Sequence, residues 1–152
     1  MKIGVISDTH GLLRPEAVAA LAGVAHIVHA GDIGGPDVIA ALRRLAPVTA
    51  IRGNIDTDDW ARDYPDEAVV ELAGRSIYVL HNRNELALDP AASGFDVVVS
   101  GHSHKPKFET VDGVLYLNPG SAGPRRFTLP IALATLELTN EAVQPRIHEI
   151  VT

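Results

Sequence analysis

The sequence predicts an α/β fold, with a parallel strand–helix unit at the front and a mostly antiparallel β region behind it, in one domain over residues 1–152. Two observations predict it. Before about residue 52, three short apolar runs alternate with two helix-period segments, a pattern that implies parallel pairing through right-handed crossovers. After it, apolar runs come in pairs around tight-turn residues.

The elements follow in order. Ile3–Ile6 is an apolar strand that runs into Ser7-Asp8. Pro15–Leu21 is Ala-rich, and Pro15 suits a first helical turn. Ala25–His29 is the second strand and ends at Ala30-Gly31-Asp32. Pro36–Leu45 reads as a helix with Val38, Ile39, Leu42 and Leu45 on one face. Val48–Ile51 is the third strand and leads into Arg52-Gly53-Asn54. Glu67–Leu72 and Ser76–Leu80 flank Ala73-Gly74-Arg75 as a hairpin, and Glu85–Ala92 is expected to be a weak helix. Asp96–Ser100 is a continuous apolar strand feeding Gly101-His102. Phe108–Val111 and Val114–Leu117 pair across Asp112-Gly113, the most direct turn signal in the chain. Ile131–Leu138 and Val143–Val151 are late strands joined near Asn140-Glu141. No internal repeat or linker interrupts the chain.

Composition narrows the function classes. The chain has 152 residues, 46% hydrophobic and 21% charged, enough to bury one core without disulfides. It contains no Cys, which rules out thiolate metal sites and leaves His, Asp, Glu and Asn as ligands. Those harder donors suit Mn, Fe, Zn, Ni or Mg. Asp8 and His10 break the first apolar run too early for a signal peptide, and no stretch reaches the ~18 apolar residues of a membrane span. The expectation is a soluble cytoplasmic protein with no membrane partner. The net charge of -6 argues against a groove for polymeric nucleic acid, although bound divalent cations would reverse the local sign at a phosphate site.

Chemistry gathers at the strand ends. Asp8, His10, Asp32, Asn54, His81, His102 and His104 all follow apolar runs, where ligands of open α/β sheets bind. Asp8 with His10, and His102 with His104, have period-two spacing that lets both side chains leave an extended segment on one side. Considered singly, Asp8 is a loop carboxylate, Asp32 a helix N-cap and Asn54 a turn residue; together they describe a site for two metal ions. Asp32 is the candidate bridging carboxylate, and Asn54 contributes a neutral oxygen that limits the site's negative charge. A hydroxide bridging the metals would be the nucleophile at phosphorus.

The order D-x-H, G-D, G-N, H, G-H-x-H resembles the calcineurin-like metallophosphoesterase superfamily. Arg52-Gly53-Asn54-Ile55-Asp56 and the Asn118-Pro119-Gly120-Ser121 loop make it similar to the small single-domain bacterial and archaeal phosphodiesterases of that family. The resemblance runs from Met1 to about Arg125. It implies a four-layer α/β/β/α sandwich of two mixed β-sheets flanked by helices, with a dimetal site at the C-terminal strand ends. By the same resemblance, Asp8, His10, Asp32 and His104 would hold one metal, and Asp32, Asn54, His81 and His102 the other. The expected metal is Mn, with Ni, Co, Fe, Zn or Mg as alternatives.

The implied activity is a dimetal phosphoric ester hydrolase, a phosphodiesterase rather than a phosphomonoesterase, acting on a small phosphate ester. His10, Asp32 and Asn54 are the residues expected to carry catalysis, and a homodimer is implied as the assembly. Many members have His directly after the Asn of the third motif. Here Ile55 stands there and cannot transfer a proton, so a proton for a poor leaving group would have to come from His10 or a metal-bound water. Asn82 stands where Gly usually follows the fourth motif's His, and Arg83 beside it is placed to touch a substrate phosphate. The alternative function is a metal-binding protein-interaction scaffold of the same fold, like the retromer subunit.

Among the remaining residues, His29 reads as an interior histidine supporting the ligands. His26 and His148 read as structural or surface residues, and Trp60 and Tyr64 as packing. Arg125 and Arg126 are either phosphate contacts or surface residues.

Overall fold

In a computed structural model, which describes residues 1–151, ten strands make two five-stranded sheets. The first has the order β10-β9-β1-β2-β3, built from β1 (Lys2–Ile6), β2 (His26–His29), β3 (Val48–Ala50), β9 (Ile131–Leu138) and β10 (Val143–Val151). The second has the order β4-β5-β6-β8-β7, built from β4 (Glu67–Leu72), β5 (Arg75–Leu80), β6 (Val97–Val99), β7 (Lys107–Val111) and β8 (Val114–Asn118). β1, β2 and β3 are parallel, with Ile3 opposite His26 and Ile27 opposite Val48. The crossovers are α1 (Pro15–Ala20) and α2 (Pro36–Arg43), each begun by a proline whose missing N–H costs nothing there.

Alternation along the strands builds the layers. Ile3, Val5, Val28 and Ala30 of the first sheet meet Ile77, Val79, Val97, Val99 and Leu117 of the second in a core between the sheets. On the outer face of the first sheet, Ile6 and Ile27 pack with Ala17 and Leu21 near α1 and with Val38, Ile39 and Leu42 of α2. Gly4 faces α1, and a Cβ there would collide with Leu21, so the glycine lets α1 lie close on the strand. Trp60 and Tyr64 close the rim of this outer cluster edge to face, with ring centroids 6.1 Å apart, so packing is their role in the fold.

Two expectations are corrected. The rear half is antiparallel in three of its five strand pairings, as expected, but its centre is not: β5, β6 and β8 run parallel, with Val97 opposite both Ile77 and Leu115. The reason lies in Val97-Val98-Val99, which is buried on both faces, as parallel strands are. The late strands also return to the first sheet, where β9 lies antiparallel to β1.

The second correction concerns Glu85–Ala92, which forms no helix. Arg83–Glu85 is a single 3-10 turn, and Leu86 is already extended at ψ 116°. Extended backbone lets Leu86 and Leu88 drop onto Tyr78, Leu80 and Val98 together, which helical spacing would prevent. The Asp89 carboxylate then accepts the amides of Ala91 and Ala92 and closes one turn before β6. The outermost layer over the second sheet is therefore this draped segment. No helix among the described residues is long and apolar enough to cross a membrane.

Candidate metal centre

The carboxyl ends of β1, β2, β5 and β6 open onto one place. β1 runs into Asp8 and His10, β2 into Asp32, β5 into His81, and β6 into His102 and His104. Five of these six residues have left-handed backbone: φ is 55° at Asp8, 48° at His10, 53° at Asp32, 70° at His102 and 63° at His104. Only three other non-glycine residues among those described share that conformation. It costs a side-chain-bearing residue roughly 1–2 kcal/mol, and such strain persists where surrounding structure over-determines it.

Backbone bonds supply that over-determination. Asp8 N–H donates to the Gly31 carbonyl (3.0 Å), His10 N–H to Asp32 (3.0 Å) and Gly11 N–H to Ile33 (2.8 Å). The loops after β1 and β2 are thus laced together. The Asp56 carboxylate, 4% exposed, accepts the amides of Ile33 (2.9 Å), Gly34 (2.9 Å) and Gly53 (2.8 Å) and clamps the loop carrying Asn54 onto the one carrying Asp32. Gly53 is required because any Cβ would strike Asp32 Oδ1. Behind these loops, His29 is fully buried. Its Nδ1 accepts the Gly31 N–H at 3.1 Å, and its Nε2 lies 3.0 Å from Thr9 Oγ1, which donates to Ile33 at 2.8 Å. With the hydroxyl proton committed to Ile33, Nε2 must carry the ring proton, so His29 is neutral with a fixed tautomer.

The donor atoms converge on two carboxylate oxygens. Asp8 Oδ1 has His104 Nε2 at 3.4 Å, His81 Nε2 at 3.8 Å and His10 Nε2 at 3.9 Å. Asp32 Oδ2 has His81 Nε2 at 3.2 Å and His10 Nε2 at 3.7 Å. Two groups, Asp8–His10–His104 and Asp8–Asp32–His81, each keep their donor atoms within 4.8 Å of one another. Ligand bonds of about 2.0–2.2 Å, opened by ordinary coordination angles, place donors roughly 3–4 Å apart, so the spacing fits a shared cation.

The unused valences fit one too. Five buried side-chain atoms lack a hydrogen-bond partner among the described residues; three of them, Asp8 Oδ1, His10 Nε2 and His81 Nε2, are atoms that converge at this place, and a fourth is His104 Nδ1, the ring nitrogen other than the one facing Asp8. Orphaned buried polar atoms each cost about 1–3 kcal/mol, and so many in one place need an explanation. Three neighbouring atoms are committed elsewhere. Asp8 Oδ2 takes Ser7 Oγ–H (2.6 Å) and His102 N–H (3.1 Å), Asp32 Oδ1 takes Ile55 N–H (3.1 Å), and His81 Nδ1–H donates to the Ala30 carbonyl (2.8 Å), leaving Nε2 free to coordinate.

Protonation follows. Burial pushes the Asp8 and Asp32 carboxyls up, but the surrounding histidines, Ser7 and the Ile55 amide outweigh it and hold both below the ordinary carboxylate range. Burial lowers His10, and the repulsion of His104 and Arg126 adds to it against the two carboxylates. His81 rises, because Asp32, the Ala30 carbonyl and Asp8 together overcome its burial.

Of the seven expected ligands, Asp8, His10, Asp32, His81 and His104 share these groups. Asn54 and His102 stand at the exposed edge, lining with His81 a cleft of about 530 Å³. The His102 ring stands edge-on to His81, with centroids 5.2 Å apart. His26 and His148 bond Thr49 and Thr135 away from the site. Sequence reasoning gave no part to Asp56, Thr9 or Ser7. The available signal was a polar residue one or two positions from a ligand at the end of an apolar strand.

Two packed mixed sheets with carboxylates and histidines at their strand ends define a metallophosphoesterase fold and site. The chain belongs to the calcineurin-like phosphoesterase superfamily, whose domain model matches residues 1–141. A probable metallophosphoesterase from Methanothermobacter thermautotrophicus is 34% identical over 159 residues, 97% of this chain and 91% of its own. A phosphodiesterase from Methanocaldococcus jannaschii is 33% identical over 139 residues, 79% of this chain and 83% of its own. The solved structure of an archaeal phosphodiesterase superposes with a TM-score of 0.79 at 28% identity, covering 97% of this chain and 100% of that one. The family uses divalent metals, and the protein is a hydrolase of that family.

Proposed function

We propose that the protein is a metal-dependent phosphodiesterase acting on a small phosphate ester. Asp8, His10, Asp32 and His104 would hold one divalent ion, and Asp32, Asn54, His81 and His102 a second, with Mn the expected metal. The observation that carries this is the set of buried, unpartnered donor atoms around Asp8 Oδ1 and Asp32 Oδ2. When bound, such ions supply a nucleophilic hydroxide near neutral pH and positive charge against the phosphoryl oxygens.

The chain's own residues do the rest. Asp32 is fixed through Oδ1 by the Ile55 amide, so Oδ2 points to the histidines, and its carboxylate would be the ligand common to both ions. His81 is oriented by the Ala30 carbonyl. Ile55, 44% exposed where many members carry His, gives the leaving group no proton. That favours diesters with acidic leaving groups, with His10 or solvent supplying a proton where one is needed. The exposed cleft past Asn54, His81 and His102 admits a small ester.

The test is hydrolysis of bis(p-nitrophenyl) phosphate beside p-nitrophenyl phosphate, with Mn²⁺ added after chelation, by the parent and by Asp32→Asn. The expected result is Mn-dependent turnover, faster on the diester, that falls at least a thousandfold in the variant. Equal rates in both proteins would overturn the reading. No turnover with any divalent ion would favour the protein-interaction scaffold.

A further inference from the structure

A second cleft, of about 240 Å³, opens on the other side of His102 and Asn82, and these two residues line both clefts. The clefts have opposite charge. The one past Asn54 carries Asp66, Glu67 and Glu85 against Arg52 alone, and Arg52 is already paired with Asp66 at 2.7 Å. The other carries Arg83, Lys105 and Lys107 against Glu109 alone. In a chain of net charge -6, this concentration of cations beside the candidate metal centre needs a reason.

Its groups are arranged for an anion. The Arg83 guanidinium lies over the Tyr116 ring, 4.1 Å from the centroid, and pairs with Glu109 at 2.7 Å, so its planar fork is held at the cleft. Glu109 also reaches Lys107 at 4.0 Å. One carboxylate therefore partners two cations, and Lys105 has no carboxylate partner among the described residues. Asn118 Nδ2 donates to Gly101 O (2.9 Å) and Ser103 Oγ (3.0 Å), fixing the His102–His104 loop that forms the wall between this cleft and the metal centre.

We propose that this cleft binds a second phosphate, so that the substrate is a phosphodiester with a terminal phosphate on one arm. The inference rests on the phosphodiesterase reading for its reaction, and on the cleft alone for its binding. The reacting diester would sit at the strand ends. The arm would cross His102 and place its phosphate among Lys105, Lys107 and Arg83, while the acidic cleft repels the same group and so sets the substrate's direction.

The experiment compares two esters with one leaving group: the p-nitrophenyl ester of thymidine 5′-monophosphate, with and without a phosphate on the 3′-oxygen. Each protein is scored by its ratio of kcat/KM on the two, so effects common to both cancel. The Mn-loaded parent is expected to favour the phosphorylated ester about tenfold, as a few exposed charge contacts acting together on one dianion allow. Lys105→Ala/Lys107→Ala should bring the ratio toward one, and Glu109→Gln should raise it. A parent ratio near one, or a ratio unmoved by the double variant, overturns the proposal.

Binding supplies a second measurement. Thymidine 3′,5′-bisphosphate should bind the Mn-loaded parent about tenfold tighter than thymidine 5′-monophosphate, and the double variant should lose that difference. If neither ester nor bis(p-nitrophenyl) phosphate is turned over, the phosphodiesterase reading has failed, and the binding ratio still decides whether the cleft takes a phosphate. Equal binding of the two nucleotides then overturns it.

Discussion

The two sheets contribute to the centre in different ways. The loops after β1, β2 and β3 are bound chiefly to one another: Asp8 to Gly31, His10 to Asp32, and Ile33, Gly34 and Gly53 all to Asp56. The loops of the second sheet are tied within their own sheet, through Asn118 to Gly101 and Ser103 and through the Gly101 amide to the His81 carbonyl, and take their aim at the centre from the first. His81 is aimed by the Ala30 carbonyl, and the His102 amide hangs on Asp8 Oδ2. The first sheet is therefore the template, and the second supplies donors that read it. Damage to the template should spread, whereas damage to a second-sheet donor should stay local.

The largest effect is expected at Asp56. Asp56→Ala leaves three backbone amides without their acceptor, at a cost of about 4 kcal/mol in chemical unfolding. Metal retention should fall along with it, although Asp56 is not a proposed ligand. A variant that unfolds at the parent's urea midpoint and holds metal equally well would break the template idea.

The next effect is set by pH. His29 is fully buried, and burial pushes it down to about 4 from an ordinary 6.5. Between those values the unfolded chain binds a proton that the folded chain refuses, so stability falls as pH drops through that window. The metal-free parent should lose about 2–3 kcal/mol more than His29→Asn between pH 7 and pH 4.5 in urea titrations. The shifts of Asp8 and Asp32 act lower in pH, and that of His81 acts in the opposite direction; the comparison between the two proteins removes them. Equal losses would mean that His29 is not the titrating tie between these loops.

Within the second sheet, His81→Ala should weaken Mn binding about a hundredfold and His102→Ala about tenfold, because His81 is buried between both carboxylates and His102 is exposed. Calorimetric titration of metal-free protein would show it, and the reverse order would place the tighter site at the rim. The smallest effect concerns strain. With φ at 48°, His10→Gly should be about 1 kcal/mol more stable than His10→Ala without metal. Equal stabilities would mean that the left-handed turn relaxes when the ligand is removed.

Much of this was legible in the sequence. The front crossovers, the turns at Ala73-Gly74 and Asp112-Gly113, and the donors at strand ends follow from local periodicity and turn chemistry. Sheet membership did not, because it depends on pairing between distant segments. Nothing near Ile131 announces that β9 will lie against β1, and Val97-Val98-Val99 shows burial on both faces without naming its partners. The 85–92 segment misled because Leu86 and Leu88 lie in helix-forming company, while the surface beneath them demanded an extended chain. At the centre, residue types were readable and the lacing was not: Asp56 appeared as a motif letter, and only the fold shows the amides it gathers.

The place of β1 between β2 and β9 has a consequence for synthesis. Ile3 finds its antiparallel partner only at Leu136. At ribosomal rates, β1 waits on the order of ten seconds with one apolar edge open, long enough to recruit another nascent chain. A message cut short before Ile131 would make that exposure permanent. Such fragments should collect as insoluble aggregates, whatever metal the cell provides.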